Sequence, residues 1–409
     1  SLPLFSVLVC IPVYRILFFS KERFVSYESF LFFSEGLQWE RKKAFMKKIF
    51  VINPGSTSTK LALFEDKECK FSTNVFHDSS VLIKFPKIND QLMYRMMVIQ
   101  EFIKENHIDL TGLDAVVGRG GSCYAVESGI YEVTDQLLED TRQAKGGLYH
   151  VSMLGVQLAK EVADLYGGRI FMMDPPIVDE YCDLARITGV KGIYRKAVSH
   201  ALNVKATARV HCAKYGLDYT KSNFIICHID GGISITAHKQ GKMIDGNDAG
   251  GGQGPFTPTR MGSMAITDIL HYFSDQPKEK LRALCYEAGG LSSHFGTSDA
   301  DQIHALVDAG NVHAKRIWDA MAYQICKEIG SMATVLEGKV DGILLTGGLL
   351  RFDDISQFIE KHCSWIASVY SYPGEFEQEA MAYGALDVLN GKRELSVYTG
   401  KPVWSGFDE

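Results

Sequence analysis

An unbroken apolar run at residues 49–52 (IFVI) stops at Asn53-Pro54-Gly55. Four hydroxyl residues and Lys60 follow, and a second apolar run occupies residues 61–64 (LALF). Runs this short, bounded by turn residues, predict two buried strands joined by a polar turn. The pattern returns at residues 224–238, FIICHIDGGISITAH, with Gly231-Gly232 at the break and Ser234 and Thr236 after it. Each copy closes in a charged turn, at residues 65–68 and 239–242. A third apolar run ends in Thr346-Gly347-Gly348. A hairpin that occurs twice in one chain predicts two similar half-domains facing each other.

Between the hairpins the period changes. Leu92, Met96, Ile99 and Ile103 recur at helical spacing, as do Leu154, Leu158, Val162 and Leu165 before Gly167-Gly168. Thr134 is placed to cap a helix that begins with Leu137 and Leu138. Residues 115–117 form a strand entering Gly118-Arg119-Gly120-Gly121, and residues 170–173 a strand that delivers Asp174 to its end. The second half, from about residue 194, predicts a helix over 198–215, the second hairpin, a glycine-rich loop at 246–254 and a long helix near 313–336. A last helix spans about 377–389. Alternating strands and helices predict α/β layers. No low-complexity linker separates the halves, so the boundary follows from the repeat alone.

Composition narrows the function. A hydrophobic fraction of 46% with 22% charged residues is that of a soluble globular chain, and a net charge of −6 gives no reason to expect nucleic acid. The nine cysteines form no CxxC pair, which excludes a zinc signature and fits a reducing cytoplasm. Residues 5–19 are apolar but interrupted by Pro12 and Arg15, too short and broken for a membrane span. Residues 1–45 read as an extension outside the fold, with Met46-Lys47-Lys48 opening the first strand directly; a membrane or partner anchor is the competing reading.

The first turn offers backbone amides, the hydroxyls of residues 56–59 and one lysine, with no bulk in the way. Those are the groups a phosphate needs. It lies between strands and lacks the GxxxxGK[ST] spacing, so it is not a Walker loop. A phosphate chain fits between the two hairpin turns, and the paired glycines Gly347 and Gly348 allow an adenosine to approach the backbone.

In order and spacing, INPGSTSTK, GRGG, MDPPIVDEY, HALN, the DGGIS hairpin, GPFTP and LTGG resemble the acetate and butyrate kinase family of the actin-like ATPase and sugar kinase superfamily. The match runs from Met46 almost to the C-terminus and is closest to the butyrate branch. The resemblance implies a duplicated ribonuclease-H-like α/β fold of two domains with a cleft between them. Residues 46–193 with a returning helix at 377–391 would form one domain, and 194–376 the other. It implies reversible transfer of the ATP γ-phosphate to a short-chain carboxylic acid, butyrate, with a branched-chain fatty acid or acetate as the alternative substrate, giving ADP and an acyl phosphate, with Mg²⁺ as cofactor. It further implies a cytoplasmic homodimer or larger homo-oligomer, with no membrane or nucleic-acid partner.

A carboxylate is already ionised at neutral pH, so acyl phosphate formation needs no general base; it needs positive charge, alignment and a metal. Arg119, set among three glycines, offers a planar fork to a carboxylate or phosphate. By the resemblance His200 bonds the phosphoryl group in flight and Arg260 contacts phosphate or carboxylate. Asp174 and Glu377 orient the metal, with Glu375 and Glu379 two residues to either side. Asn53, Ser56, Ser58 and Lys60 match the first phosphate motif, Gly231, Gly232 and Ser234 the second, and Asp299 the segment near the adenine. Four positions depart from the family: Asp230 where glycine is common, Ser199 for phenylalanine, Met153 for a small polar residue, and Asp301 for the arginine of acetate kinases. A non-catalytic ATP-binding protein of the same fold is the alternative reading. A sugar kinase would need a general base for its hydroxyl nucleophile, and no matching aspartate motif is present.

Overall fold

The computed structural model describes residues 46–407, and the expectation for residues 1–45 lies outside them. The first hairpin is β1 (Lys48–Pro54) and β2 (Ser58–Glu65), followed by β3 (Glu68–Phe76), β4 (Ala115–Gly118), β5 (Ile130–Glu132) and β6 (Arg169–Met173). The second is β7 (Asn223–Ile229) and β8 (Ile233–Lys239), followed by β9 (Lys242–Gly246), β10 (Gly342–Gly347) and β11 (Val369–Pro373). They build two mixed sheets, β3-β2-β1-β4-β6-β5 and β9-β8-β7-β10-β11. In each, the first three strands of the repeat pair antiparallel and the next two join in parallel. Even the irregularity repeats: β2 slips against β3 between Leu63 and Phe64, and β8 against β9 between Ala237 and His238.

The central strands read as unbroken apolar runs because both faces are covered. Phe50 and Ile52 of β1 pack with the helices Leu92–Glu105 and Met153–Tyr166 through Met96, Ile99, Leu154 and Leu158. Ile49 and Val51 face the other way, against Met381, Ala382, Ala385 and Leu386 of the helix Glu377–Leu389. In the second sheet Ile225, Cys227 and Ile229 meet Trp318, Met321 and Ile325 of the helix Val312–Val335. Phe224 and Ile226 meet Ala201, Val204 and Ala208 of the helix Ala201–Tyr215. At about 25 cal/mol per Å² of apolar area, these layers are the main favourable term in folding.

That last helix begins at Ala201, not at residue 198: the Ser199 amide donates to the Pro176 carbonyl instead, and His200 stands at the N-cap. Thr134 caps the helix Asp135–Arg142 by accepting from the Leu137 amide. One close approach sets the site. A methyl on Gly155 would lie 1.9 Å from the Arg119 carbonyl oxygen, so only glycine lets the helix Met153–Tyr166 press against the end of β4. Among the described residues every cysteine is free, and no helix is long and apolar enough to cross a membrane.

Candidate active site

The two hairpin turns face one cavity of about 300 Å³. Asn53, Ser56, Ser58 and Lys60 line it from the first, and Asp230, Gly231 and Gly232 from the second, with Arg119, His150, His200, His228 and Glu375 completing the wall. In the first turn every carbonyl is occupied from behind. Those of Gly55 and Ser56 accept from Arg95, at 2.9 and 2.8 Å, that of Thr57 from the His77 amide and that of Ser58 from the Gly55 amide. Lys60 pairs with Glu375. Burial is the largest single influence and would lower its pKa, but the charge and hydrogen bond of Glu375 together with the charges of Glu377 and Asp230 outweigh it and hold the ammonium above its usual range.

Two imidazoles lie stacked in the cavity wall. His200 and His228 have ring centroids 3.9 Å apart at an interplanar angle of 16°. Burial depresses both pKa values; that of His200 is pushed well below the usual histidine range, further lowered by His228, Arg260 and Arg119, whereas the charges of Glu375, Asp230 and Glu377 oppose the fall at His228. His200 is therefore neutral, and in both rings the hydrogen-bond partners assign the tautomer. Ser234 Oγ accepts from the His200 amide at 3.2 Å, and among the described residues its own proton has no acceptor other than Nδ1 of His200, at 2.8 Å, to which it is assigned. Asn203 Oδ1 accepts from the Phe376 amide, so its Nδ2 is the end that donates to Nδ1 of His228, at 2.8 Å. In each ring the remaining proton sits on Nε2, leaving an N–H donor rather than a base.

Arg119 uses Nη1 on Oε2 of Glu377 at 3.1 Å and on Oδ1 of Asn53 at 3.4 Å, and Asn53 Nδ2 donates to the same Glu377 oxygen at 2.6 Å. The rest of the guanidinium fork makes no hydrogen bond among the described residues. Arg260 lies against the second turn: a methyl on Gly232 would meet its Nη1 at 2.6 Å. Burial lowers its pKa from the usual arginine value. Beyond Arg119, His150 and His200 a second, smaller pocket of about 50 Å³ opens, walled by Leu148, Tyr149, Pro176, Val198 and Tyr286 with Arg260 at its edge. Its lining is chiefly apolar. His150 borders both spaces, and burial followed by Arg119 and Arg260 pushes its pKa down to about 3.

Two of the expected site residues lie elsewhere. Asp174 is fully buried and spent on Arg209, with both Nη atoms at 3.1 Å, and on Ser128 and the Gly129 amide. Asp299 caps the helix Ala300–Asp308 by accepting from the amides of Asp301 and Gln302. Gly347 ends β10, and Gly348 lines a neighbouring recess with Asn53, Asp230 and Glu377. The Asp230 carboxylate accepts from the amides of Gly231 and Gly348, at 2.9 and 3.1 Å, and so ties the second turn to the end of β10. Asp301 pairs with Arg351 at 2.9 Å, and Met153 is buried in the first core. The Ser199 hydroxyl points to the Met243 sulfur.

Carboxylates suited to a hard divalent ion stand at the phosphate side. Ligand atoms of His228, Asp230 and Glu375 lie within 4.8 Å of one another. His228 presents N–H there, so the oxygens of Asp230 and Glu375 are the fitting donors. Glu377 Oε1 is buried with no hydrogen-bond partner among the described residues, an orphan oxygen that a cation would satisfy.

Comparison with known proteins agrees with this geometry. A model of the acetokinase family matches residues 193–361. The "probable butyrate kinase" of Listeria welshimeri is 43% identical over 352 residues, covering 86% of this chain and 99% of that protein. The chain belongs to the acetokinase family. A protein of the same name from Coprothermobacter proteolyticus is 41% identical over 355 residues, covering 86% of this chain and 99% of its own. The acetokinase fold is also that of the crystal structure of Porphyromonas gingivalis acetate kinase, at TM-score 0.65 and 18% identity, covering 84% of this chain and all of that one. A propionate kinase from Francisella tularensis gives the same score at 17% identity, covering 83% and 99%. As an acetokinase the protein is an ATP-using carboxylate kinase, and the duplicated α/β fold that the resemblance implied is the one observed.

Sequence reasoning passed over Arg95, His150, His228 and Asn203. His228 stood in the open, two residues before Asp230 at the end of an apolar strand. Arg95 carried a signal too: it shares the helical stripe of Leu92, Met96 and Ile99, where a charge is out of place. His150 lies in a loop with no periodicity to mark it.

Proposed function

We propose that the acid this kinase phosphorylates is butyrate, and that Arg119, His200 and Arg260 are the residues that handle the transferring group. One observation carries the reading: the polar cavity between the hairpin turns and the small apolar pocket meet at Arg119, His150 and His200. A short aliphatic tail in the apolar pocket puts its carboxylate at the two guanidinium groups, facing a phosphate held by the turns. The carboxylate oxygen attacks the γ-phosphorus in line, the bond to the bridging oxygen breaks, and ADP leaves. Neutral Nε2–H donors on His200 and His228 stabilise the phosphoryl oxygens without giving up a proton. Arg119 and Arg260 offset the repulsion between carboxylate and phosphate. Mg²⁺, when bound, neutralises phosphate oxygens, and Asp230, Glu375 and Glu377 are the carboxylates that would hold it. Asp174, tied to Arg209, fits a role in holding the helix Ala201–Tyr215 and with it His200.

In this reading residues 46–193 with the helix at 377–391 form one lobe and 194–376 the other, and closing them aligns the reactants. A homodimer or larger assembly in a reducing cytoplasm belongs to the same reading. The convergence of Arg119, His200 and Arg260 at an apolar pocket is what a carboxylate kinase needs and a non-catalytic ATP-binding protein does not. The test is purified protein with ATP, Mg²⁺ and butyrate, the acyl phosphate being trapped by hydroxylamine. A butyryl hydroxamate that depends on both ATP and enzyme supports the reading. ADP binding without any hydroxamate supports the non-catalytic alternative.

A further inference from the structure

The helix Leu92–Glu105 buries an arginine completely. Arg95 occupies a core position on that helix, and its guanidinium reaches the back of the first hairpin turn. Nη1 donates to the Gly55 carbonyl at 2.9 Å, Nη2 to the Ser56 carbonyl at 2.8 Å and Nε to Gln91 Oε1 at 3.1 Å. Longer contacts from Nη1 reach the Ser58 carbonyl and Thr59 Oγ1, at 3.4 and 3.5 Å. All these partners are neutral. Among the described residues no carboxylate pairs with Arg95. A cation taken out of water is ordinarily matched by an anion, because its desolvation is otherwise uncompensated.

The turn itself shows where the missing anion belongs. In a trans peptide the carbonyl of one residue and the amide of the next point in opposite directions. Arg95 draws the carbonyls of Gly55 and Ser56 to the back of the turn, so the amides of Ser56 and Thr57 point to the front. Those two amides donate to nothing among the described residues. Ser56 lines the cavity between the two hairpins.

We propose that Arg95 is a positioning residue for the nucleotide phosphates: it turns the first hairpin's carbonyls away from the cavity and its amides into it, and the bound phosphate supplies the anion that its buried charge lacks. The proposal rests on the reading that this turn holds the phosphate chain of ATP. Burial lowers the Arg95 pKa to about 10, which still leaves the guanidinium charged at neutral pH. Phosphate and Arg95 then sit on opposite sides of one peptide layer, a short distance through a poorly screening interior.

The experiment compares wild type, Arg95→Met, Arg95→Lys and Gln91→Leu by ADP affinity in calorimetry, by the ADP-induced rise in thermal midpoint, and by KM for ATP and for butyrate. Removing a charge-assisted hold should weaken ADP on the order of tenfold or more in Arg95→Met, while KM for butyrate moves by less than about threefold. Arg95→Lys keeps the charge and loses the fork, so its ADP affinity should fall between the two. Gln91→Leu frees only Nε and keeps the protein foldable should Arg95→Met not fold; it should weaken ADP by about twofold to fivefold with butyrate unaffected. Unchanged ADP affinity in Arg95→Met, or in Gln91→Leu where Arg95→Met does not fold, overturns the proposal. Equal losses for ADP and butyrate overturn it as well, since that is the mark of a structural residue. Wild-type protein that binds no ADP sinks the nucleotide reading itself, a result separate from the behaviour of the variants.

Discussion

Most of the side chains that carry the proposed chemistry are half-buried and held by their neighbours. His200 is held as an Nε2–H donor by Ser234, in a position where burial keeps it uncharged. Replacing it by alanine removes one donor to the transferring phosphoryl group, so kcat should fall on the order of a hundredfold while KM for the acid changes by less than about threefold. Small and equal losses in steady-state kinetics would make it a packing residue instead. The buried histidines also set a pH dependence of stability. Burial holds His77 at about 4, and keeps His228 and His238 below the usual value of 6.5. Unfolded imidazoles take up protons near pH 6.5 and the folded ones do not. Their contribution is therefore complete above pH 6.5 and is lost as pH falls towards the folded values, at up to about 1.4 kcal/mol per pH unit for each ring. The thermal midpoint should drop progressively from pH 6.5 to about 4.5. A flat profile over that range contradicts the assignment of neutral buried rings.

At the scale of elements, the site is made by two close approaches that only glycine permits. Gly155 lets a helix seat the end of β4 behind Arg119, and Gly232 lets the Arg260 guanidinium lie on the second turn. Gly232→Ala should displace Arg260 and lower kcat/KM for the acid by about tenfold or more, with a change in thermal midpoint of only a few degrees, because the turn is at the cavity and not in the core. Kinetics at wild-type level would show that Arg260 is not engaged where it lies. Such contacts explain what was legible in the chain. β1, β4, β7 and β10 are covered on both faces and so read as plain apolar runs, and the helix Leu92–Glu105 buries the stripe Met96, Ile99 and Ile103, while Met153–Tyr166 is buried all round from 153 to 159. The edge strand β3, ECKFSTNVF, mixes polar and apolar residues and gave no clean period. The helices Ile266–Phe273 and Lys278–Tyr286 bury no residue fully, so no core selects their pattern. The phosphate turns were visible because glycine and hydroxyls cluster in sequence. The pairings of Asp174 with Arg209, of Asn203 with His228 and of Arg95 with the turn carbonyls join residues 25 to 40 positions apart. No local pattern records them.

Across the whole molecule, a duplicated unit brings two similar turns to one cavity, and a smaller, chiefly apolar pocket adjoins it at Arg119, His150 and His200. On the proposed reading the head group cannot distinguish one short acid from another, since each would present the same carboxylate to Arg119 and Arg260. Discrimination falls to Leu148, Tyr149, Pro176, Val198 and Tyr286. Each extra buried methylene contributes about 0.8 kcal/mol, so two should favour butyrate over acetate by about tenfold to thirtyfold. The most direct test is kcat/KM for acetate, propionate, butyrate and isobutyrate measured under one condition with saturating ATP and Mg²⁺. The account predicts a rise from acetate through propionate to butyrate within that range. Acetate turned over as efficiently as butyrate, or better, contradicts it.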